Sequence, residues 1–203
     1  MGSHEDRVLR DHAQSLMRAG HIGQAEELLR EHAAARPNDH EALALLAQIA
    51  LVQRRLDDAE SLLMRALRGD RKRADYHGLL GEVLTTAGRH REAIGRYDHA
   101  LKIHGQYDAA HAGKAETYLR MGKVDRALGS LERAPDTPIT AIPRLRALTR
   151  QGDFEEAITI ARRHLPATKA SNDVQRGLWF GLGQACEKAK RFDEAFEAFT
   201  QGN

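Results

Sequence analysis

A chain of 203 residues with 31 Lys and Arg against 29 Asp and Glu carries a formal charge of +2. That balance is too even to draw it to nucleic acid or to an anionic membrane, and no apolar run reaches the length of a membrane span. A single cysteine, Cys186, excludes an internal disulfide; between Ala185 and Glu187 on a helix that reads as packed, it is expected to be a buried, inert thiol.

The opening Met1-Gly2-Ser3-His4 resembles an expression scar, so residues 1–5 are set aside. His4-Glu5-Asp6-Arg7 does not open a signal peptide, and a cytoplasmic location is expected. A first unit spans 6–39. Val8, Leu9, His12, Ala13, Leu16 and Met17 recur at helical spacing, Gly20 breaks that helix, and Ile22, Ala25, Leu28 and Leu29 begin the next. Asn38 or Asp39 is the candidate cap of the following helix. The second unit, 40–73, turns Leu43, Leu46, Ala47 and Ala50 inward, then Leu56, Ala59, Leu62, Leu63, Ala66 and Leu67. Arg54 stands where the neighbouring units have Gly20 and Gly88, so that turn has to form without glycine.

The third and fourth units, 74–107 and 108–136, keep the glycine at Gly88 and Gly122. The fifth, 137–173, is irregular. Ala134-Pro135-Asp136-Thr137-Pro138 shortens its entry, Thr137 is a candidate cap with Pro138 in the first turn, and Pro143 is expected to bend that helix or delay its start. Its second helix is expected to stop at Leu165. The sixth unit, 174–203, follows a polar loop over 167–173, with helices from about Val174 to Ala189 and from about Phe192. Phe196 and Phe199 have no unit after them to cover them, so the native polypeptide is expected to continue past Asn203.

Two series of small residues keep one 34-residue step: Ala25, Ala59, Ala93 and Ala127, and Ala13, Ala47, Gly81 and Ala115. A fixed step with small residues at two places means paired helices packed too closely for a larger side chain. The pattern resembles the tetratricopeptide repeat over nearly the whole chain, and the last unit carries that family's signature at Trp179, Leu182-Gly183, Ala195 and Phe199. The resemblance implies an all-α, right-handed superhelical solenoid of about six antiparallel helix pairs, the sixth truncated. More particularly, Leu178 to Ala185, Phe192 to Phe199 and Gly202-Asn203 are similar to the last repeat before the catalytic domain of bacterial sulfotransferases with an N-terminal repeat array. This implies a docking region with catalysis downstream; no glycine-rich sulfate-donor loop occurs in these residues.

No catalytic motif, metal site or cofactor is expected. None of the eleven histidines falls in a His-Glu-x-x-His arrangement, and surface positions are expected for them. Gly181-Leu182-Gly183 lacks the third glycine and preceding strand of a dinucleotide site, and the basic corner of Arg65, Arg68, Arg71, Lys72 and Arg73 reads as a solvated turn.

In the family, the first helix of each pair lines a groove. The resemblance assigns to it Arg10 and Gln14, then Glu41, Leu45, Gln48 and Val52, then Asp75, Leu79 and Glu82, then Glu116 and Leu119. Of the clamp by which co-chaperone members hold a terminal carboxylate, matched here by Arg10, Gln14, Leu45, Asp75 and Leu79, only Arg10 keeps its character. The chaperone reading is therefore rejected. The remaining apolar strip, edged by acids, is expected to take a protein or peptide with apolar anchors and some basic residues. Self-association through the C-terminal end is a further expectation.

Overall fold

The computed structural model describes residues 4–165 and 172–203, which form twelve helices and no strand. They are α1 (His4–Arg18), α2 (Ile22–Ala35), α3 (His40–Val52), α4 (Leu56–Gly69), α5 (Ala74–Thr86) and α6 (His90–Ile103), then α7 (Asp108–Arg120), α8 (Val124–Leu131), α9 (Pro138–Gln151), α10 (Phe154–His164), α11 (Asn172–Lys188) and α12 (Phe192–Gly202). Each odd-numbered helix packs against the next even-numbered one. Most of the polar loop expected over 167–173 lies outside the described residues, and α11 begins at Asn172. No helix among the described residues is long and apolar enough to cross a membrane. The chain divides into two compact bodies, one ending at Ile103 and the other beginning at His104.

Within each pair, the contact is set by two residues 16 apart. Ala13 and Leu29, Ala47 and Leu63, and Ala115 and Leu131 are small on the first helix and medium on the second, all at most 1% exposed. The α5–α6 and α11–α12 pairs exchange size. A Cβ on Gly81 would lie 2.7 Å from the Tyr97 ring, and one on Gly183 would lie 2.5 Å from the Phe199 ring. In α9–α10 the order reverses, with Leu145 on the first helix and Ala161 on the second, both fully buried in one apolar cluster. Volume is conserved at the contact while identity is not, as interiors packed to crystal density demand.

The turns inside the pairs need one left-handed residue. Gly20, Gly88, Gly122 and Gly152 take φ of +82°, +77°, +72° and +104°. Arg54 and Lys190 adopt φ of 63° and 61° in spite of their Cβ atoms. A left-handed non-glycine residue costs about 1–2 kcal/mol, and the added chain entropy of glycine cancels about 0.5–1 of it. Arg54→Gly is therefore expected to raise stability by about 0.5–1 kcal/mol, read as a higher urea midpoint; an unchanged or lower midpoint contradicts the strain.

Successive pairs of the first body are stitched by arginines at the start of their second helices. Arg55 reaches Glu26 at 2.5 Å and its own helix's Asp58 at 3.1 Å; Arg89 reaches Glu60 at 2.5 Å and Glu92 at 2.7 Å. In the second body, Arg191 repeats the device with Glu155 at 3.0 Å and Glu194 at 2.6 Å.

The irregular fifth unit follows a short α8 of eight residues, where α2, α4 and α6 have 14 each. Thr137 caps α9 in a capping box with Thr140, and Pro138 occupies its first turn. Pro143 lies inside α9 without delaying its start. It removes one interior N–H, and the helix continues because its buried face, including Leu145 and Leu148, packs on both neighbours. The close fit of α9 to α11 shows at Gly177 and Gly181, where a Cβ would meet Ile142 at 2.8 Å and Leu145 at 3.0 Å. Arg144 donates to the Leu131 carbonyl at 2.7 Å and Arg150 to the Leu119 carbonyl at 2.6 Å, so α9 supplies cationic donors to the C-terminal ends of α8 and α7. Cys186 is fully buried, and burial raises its thiol pKa, as an inert cysteine requires.

Candidate interaction surface

The face carried by α1, α3 and α5 holds nine of the eleven groove positions, all in the first body. Three of them belong to one ion-paired ladder. Asp39, the N-cap of α3, accepts from the Ala42 N–H at 3.1 Å, from His32 Nε2 at 2.8 Å and from Arg10 Nη1 at 2.5 Å. Arg10 also pairs with Glu41 at 2.8 Å; Glu41 accepts from Arg73 at 3.1 Å; and Arg73 pairs with Asp75 at 2.8 Å. The Arg73 guanidinium stands 4.4 Å over the Tyr76 ring, and desolvation lifts the buried Tyr76 hydroxyl to about 12. Arg10, Glu41 and Asp75 therefore neutralise one another through Arg73, and the acidic edge expected of this face is mostly cancelled internally.

Glu82 is different. It is exposed and has no ion-pair partner among the described residues. Yet enough protein stands around its carboxyl to raise its pKa by desolvation. Beside it the face offers Gln48, exposed, with Gln14 and Leu79 half-buried, and Val52, 67% exposed. Leu45 is only 8% exposed and supports this face from beneath instead of lining it. In the second body, Leu119 is 2% exposed and belongs to an apolar core, so it lines no groove either. Glu116 is half-buried and paired with Arg146 at 2.9 Å. The helical stripe available to a ligand is narrower than the resemblance implies, because each first helix is covered by neighbours on two sides.

The histidines also need correcting. His32, His77, His111 and His164 are buried, between 5% and 8% exposed, against the surface positions expected. His164 donates from Nε2 to Asp136 at 3.0 Å, which, with Arg163 and Arg144 nearby, more than offsets the burial that would raise that carboxyl and leaves its pKa lowered. His77 and His111, 34 residues apart, bring Nε2 to the carbonyls of Arg71 and Gly105, each six residues earlier, at 3.1 and 3.0 Å. That shared step was the signal available for finding them. They fasten the turn before each helix pair to its first helix. No group of three or more metal-ligating side chains occurs among the described residues.

A family model described as tetratricopeptide repeat matches residues 16–83 and 84–138, and a second model of the same description matches 146–202. No curated protein matches the chain in sequence. Among solved structures, a thermophilic tetratricopeptide protein of Thermus thermophilus superposes with a TM-score of 0.75 at 18% identity, covering 87% of this chain and 98% of that one. The Cut9–Hcn1 hetero-tetramer of the APC/C gives 0.78 at 17% identity, over 96% of this chain and 39% of that one. A mutant O-GlcNAc transferase of Thermobaculum terrenum gives 0.58 at 27% identity, over 66% of this chain and 27% of that one. The first two, at such identity, show the fold alone.

Proposed function

This chain belongs to the tetratricopeptide repeat family, whose repeats generally mediate protein–protein interaction, and on that premise we propose that it is a non-catalytic scaffold holding a peptide or helix on the face of α1, α3 and α5. The observation that carries this reading is the presence, on one face, of a well-exposed Val52 and an exposed Glu82 that has no ion-pair partner among the described residues. An apolar anchor covers the first and a basic side chain neutralises the second. With Glu41, Asp75 and Glu116 already paired, the partner needs one well-placed cation more than a generally basic sequence.

Panning a random peptide library against the full chain and against a Val52→Glu, Glu82→Lys variant tests this. Wild-type protein is expected to enrich peptides with aliphatic or aromatic anchors and a Lys or Arg, with binding at least about tenfold weaker in the variant. Equal binding by both would remove the site from this face. The sedimentation control for these samples also reads self-association through the outer face of α12, where Phe192 and Phe196 are 65% and 74% exposed. The residues that resemble a sulfotransferase-linked repeat are occupied in packing: Gly183 against Phe199, and Gly202 against Trp179 and Phe180.

A further inference from the structure

On the other side of the first body, the even-numbered helices carry a surface of opposite character. Several of its arginines are ion-paired: Arg30, Arg36, Arg55 and Arg89. Arg65, Arg68, Arg71 and Arg96 have no ion pair among the described residues, and they cluster around the end of α4 and the middle of α6. Arg68, Arg71 and Arg96 border a cavity of about 260 Å³. Its remaining walls are apolar or aromatic: Met64, Leu67, and the rings of His77 and His99, whose centroids lie 4.8 Å apart. No carboxylate lines it. The one acid of the adjoining turn, Asp70, accepts from the Lys72 N–H at 2.9 Å.

His77 narrows the chemistry further. It is 5% exposed, and its Nε2 must carry a proton to donate to the Arg71 carbonyl. Burial, with the charges of His99 and Arg96 adding to it, holds the ring below the ordinary histidine pKa, so the ring is neutral and Nδ1 is an acceptor. That nitrogen is sealed from water and has no partner. A buried acceptor left open favours an occupant that brings a donor. A carboxylate or sulfate brings none, whereas the N–H of a peptide backbone does. The exposed His99 ring packs on His77.

We propose that this cavity is a second docking site, for an acidic peptide that places one apolar side chain against Met64, Leu67 and the two histidine rings and sets its flanking carboxylates on Arg68, Arg71 and Arg96. Binding shifts the His99 ring off His77, so that the backbone of that peptide supplies the N–H for His77 Nδ1. Such a site is independent of the α1–α3–α5 face and opposite to it in charge preference.

The test is fluorescence anisotropy of the full chain with a labelled dodecapeptide of glutamates around a central leucine. Its counterparts have glycine for the leucine, lysines for the glutamates, or inorganic phosphate as competitor. The Glu–Leu peptide is expected to saturate, the glycine form to bind about tenfold more weakly, and the lysine form and phosphate to have no effect. Arg68→Glu with Arg96→Glu should weaken binding at least about tenfold at an unchanged thermal midpoint, and the Gln pair should do so in part. On binding, the His77 Nδ1 ¹⁵N resonance should move. The Val52→Glu, Glu82→Lys variant should bind as wild type, which separates failure of this site from failure of the first. Absence of saturation, equal binding by the arginine variants, displacement by phosphate or tighter binding of a single-stranded RNA dodecamer would each overturn the proposal.

Discussion

Gly81→Ala is expected to destabilise the protein by about 1–3 kcal/mol, and adding Tyr97→Leu to recover most of that loss. In an exposed helix the same change gains about 0.5–1 kcal/mol, because alanine loses less chain entropy than glycine. At Gly81 the new methyl would sit 2.7 Å from the Tyr97 ring, which is only 2% exposed and has nowhere to retreat. The overpacking cost therefore exceeds the propensity gain. The double variant recreates the Ala–Leu pairing of Ala13 and Leu29, which share one apolar cluster, so its coupling energy should be favourable. Gly95 is the control: nothing lies within 4 Å of a Cβ there, and Gly95→Ala should stabilise. Urea unfolding of the four variants measures the set, and a stable Gly81→Ala single variant would show that the ring moves freely.

Asp39→Ala is expected to cost about 3 kcal/mol or more at pH 7. One carboxylate there caps α3, fixes His32 and pairs Arg10, and its side chain is 10% exposed. Removing it leaves the Arg10 guanidinium, 13% exposed, with Glu41 alone and deprives the buried His32 ring of its partner. The pH dependence follows from the carboxyl. Burial alone would raise its pKa, but the bonds from His32, Ala42 and Arg10 overcome that and leave it below the ordinary 3.8. A depressed folded pKa means stability that is present above about 3.8 and lost as pH falls through the lower folded value. The gap between wild type and Asp39→Ala should therefore be full at pH 5–7 and shrink on acidification below that point. Denaturant titrations at several pH values read it, and a gap independent of pH would remove the charge from the explanation.

Much of this fold was legible because the repeat writes its geometry into spacing. The 34-residue alanine steps located the helix pairs, Asp39 and Thr137 announced their caps, and Arg54 was visibly out of place among glycines. What escaped was whatever depends on a second neighbour. Leu45 and Leu119 lie on the expected stripe yet are covered by adjoining helices. The ladder from Arg10 through Glu41 to Arg73 joins side chains about one repeat apart, and nothing local to any of them marks the partner. Composition made the histidines look like surface residues; their burial follows from carbonyls in turns that only the folded chain brings close. The basic corner beside Arg71 read as a solvated turn because its apolar and aromatic walls come from α4, α5 and α6 together.

Repeat arrays are commonly treated as beads that can be removed or added one at a time. The arginines of α9 that reach the Leu131 and Leu119 carbonyls make this chain less divisible than that. A cut placed by counting 34 residues would fall between α8 and α9 and leave two helix ends without their donors. The smallest piece that can be lifted out of this region or grafted elsewhere is a trio of helices, α7 to α9, and the ruler that located the repeats does not measure it.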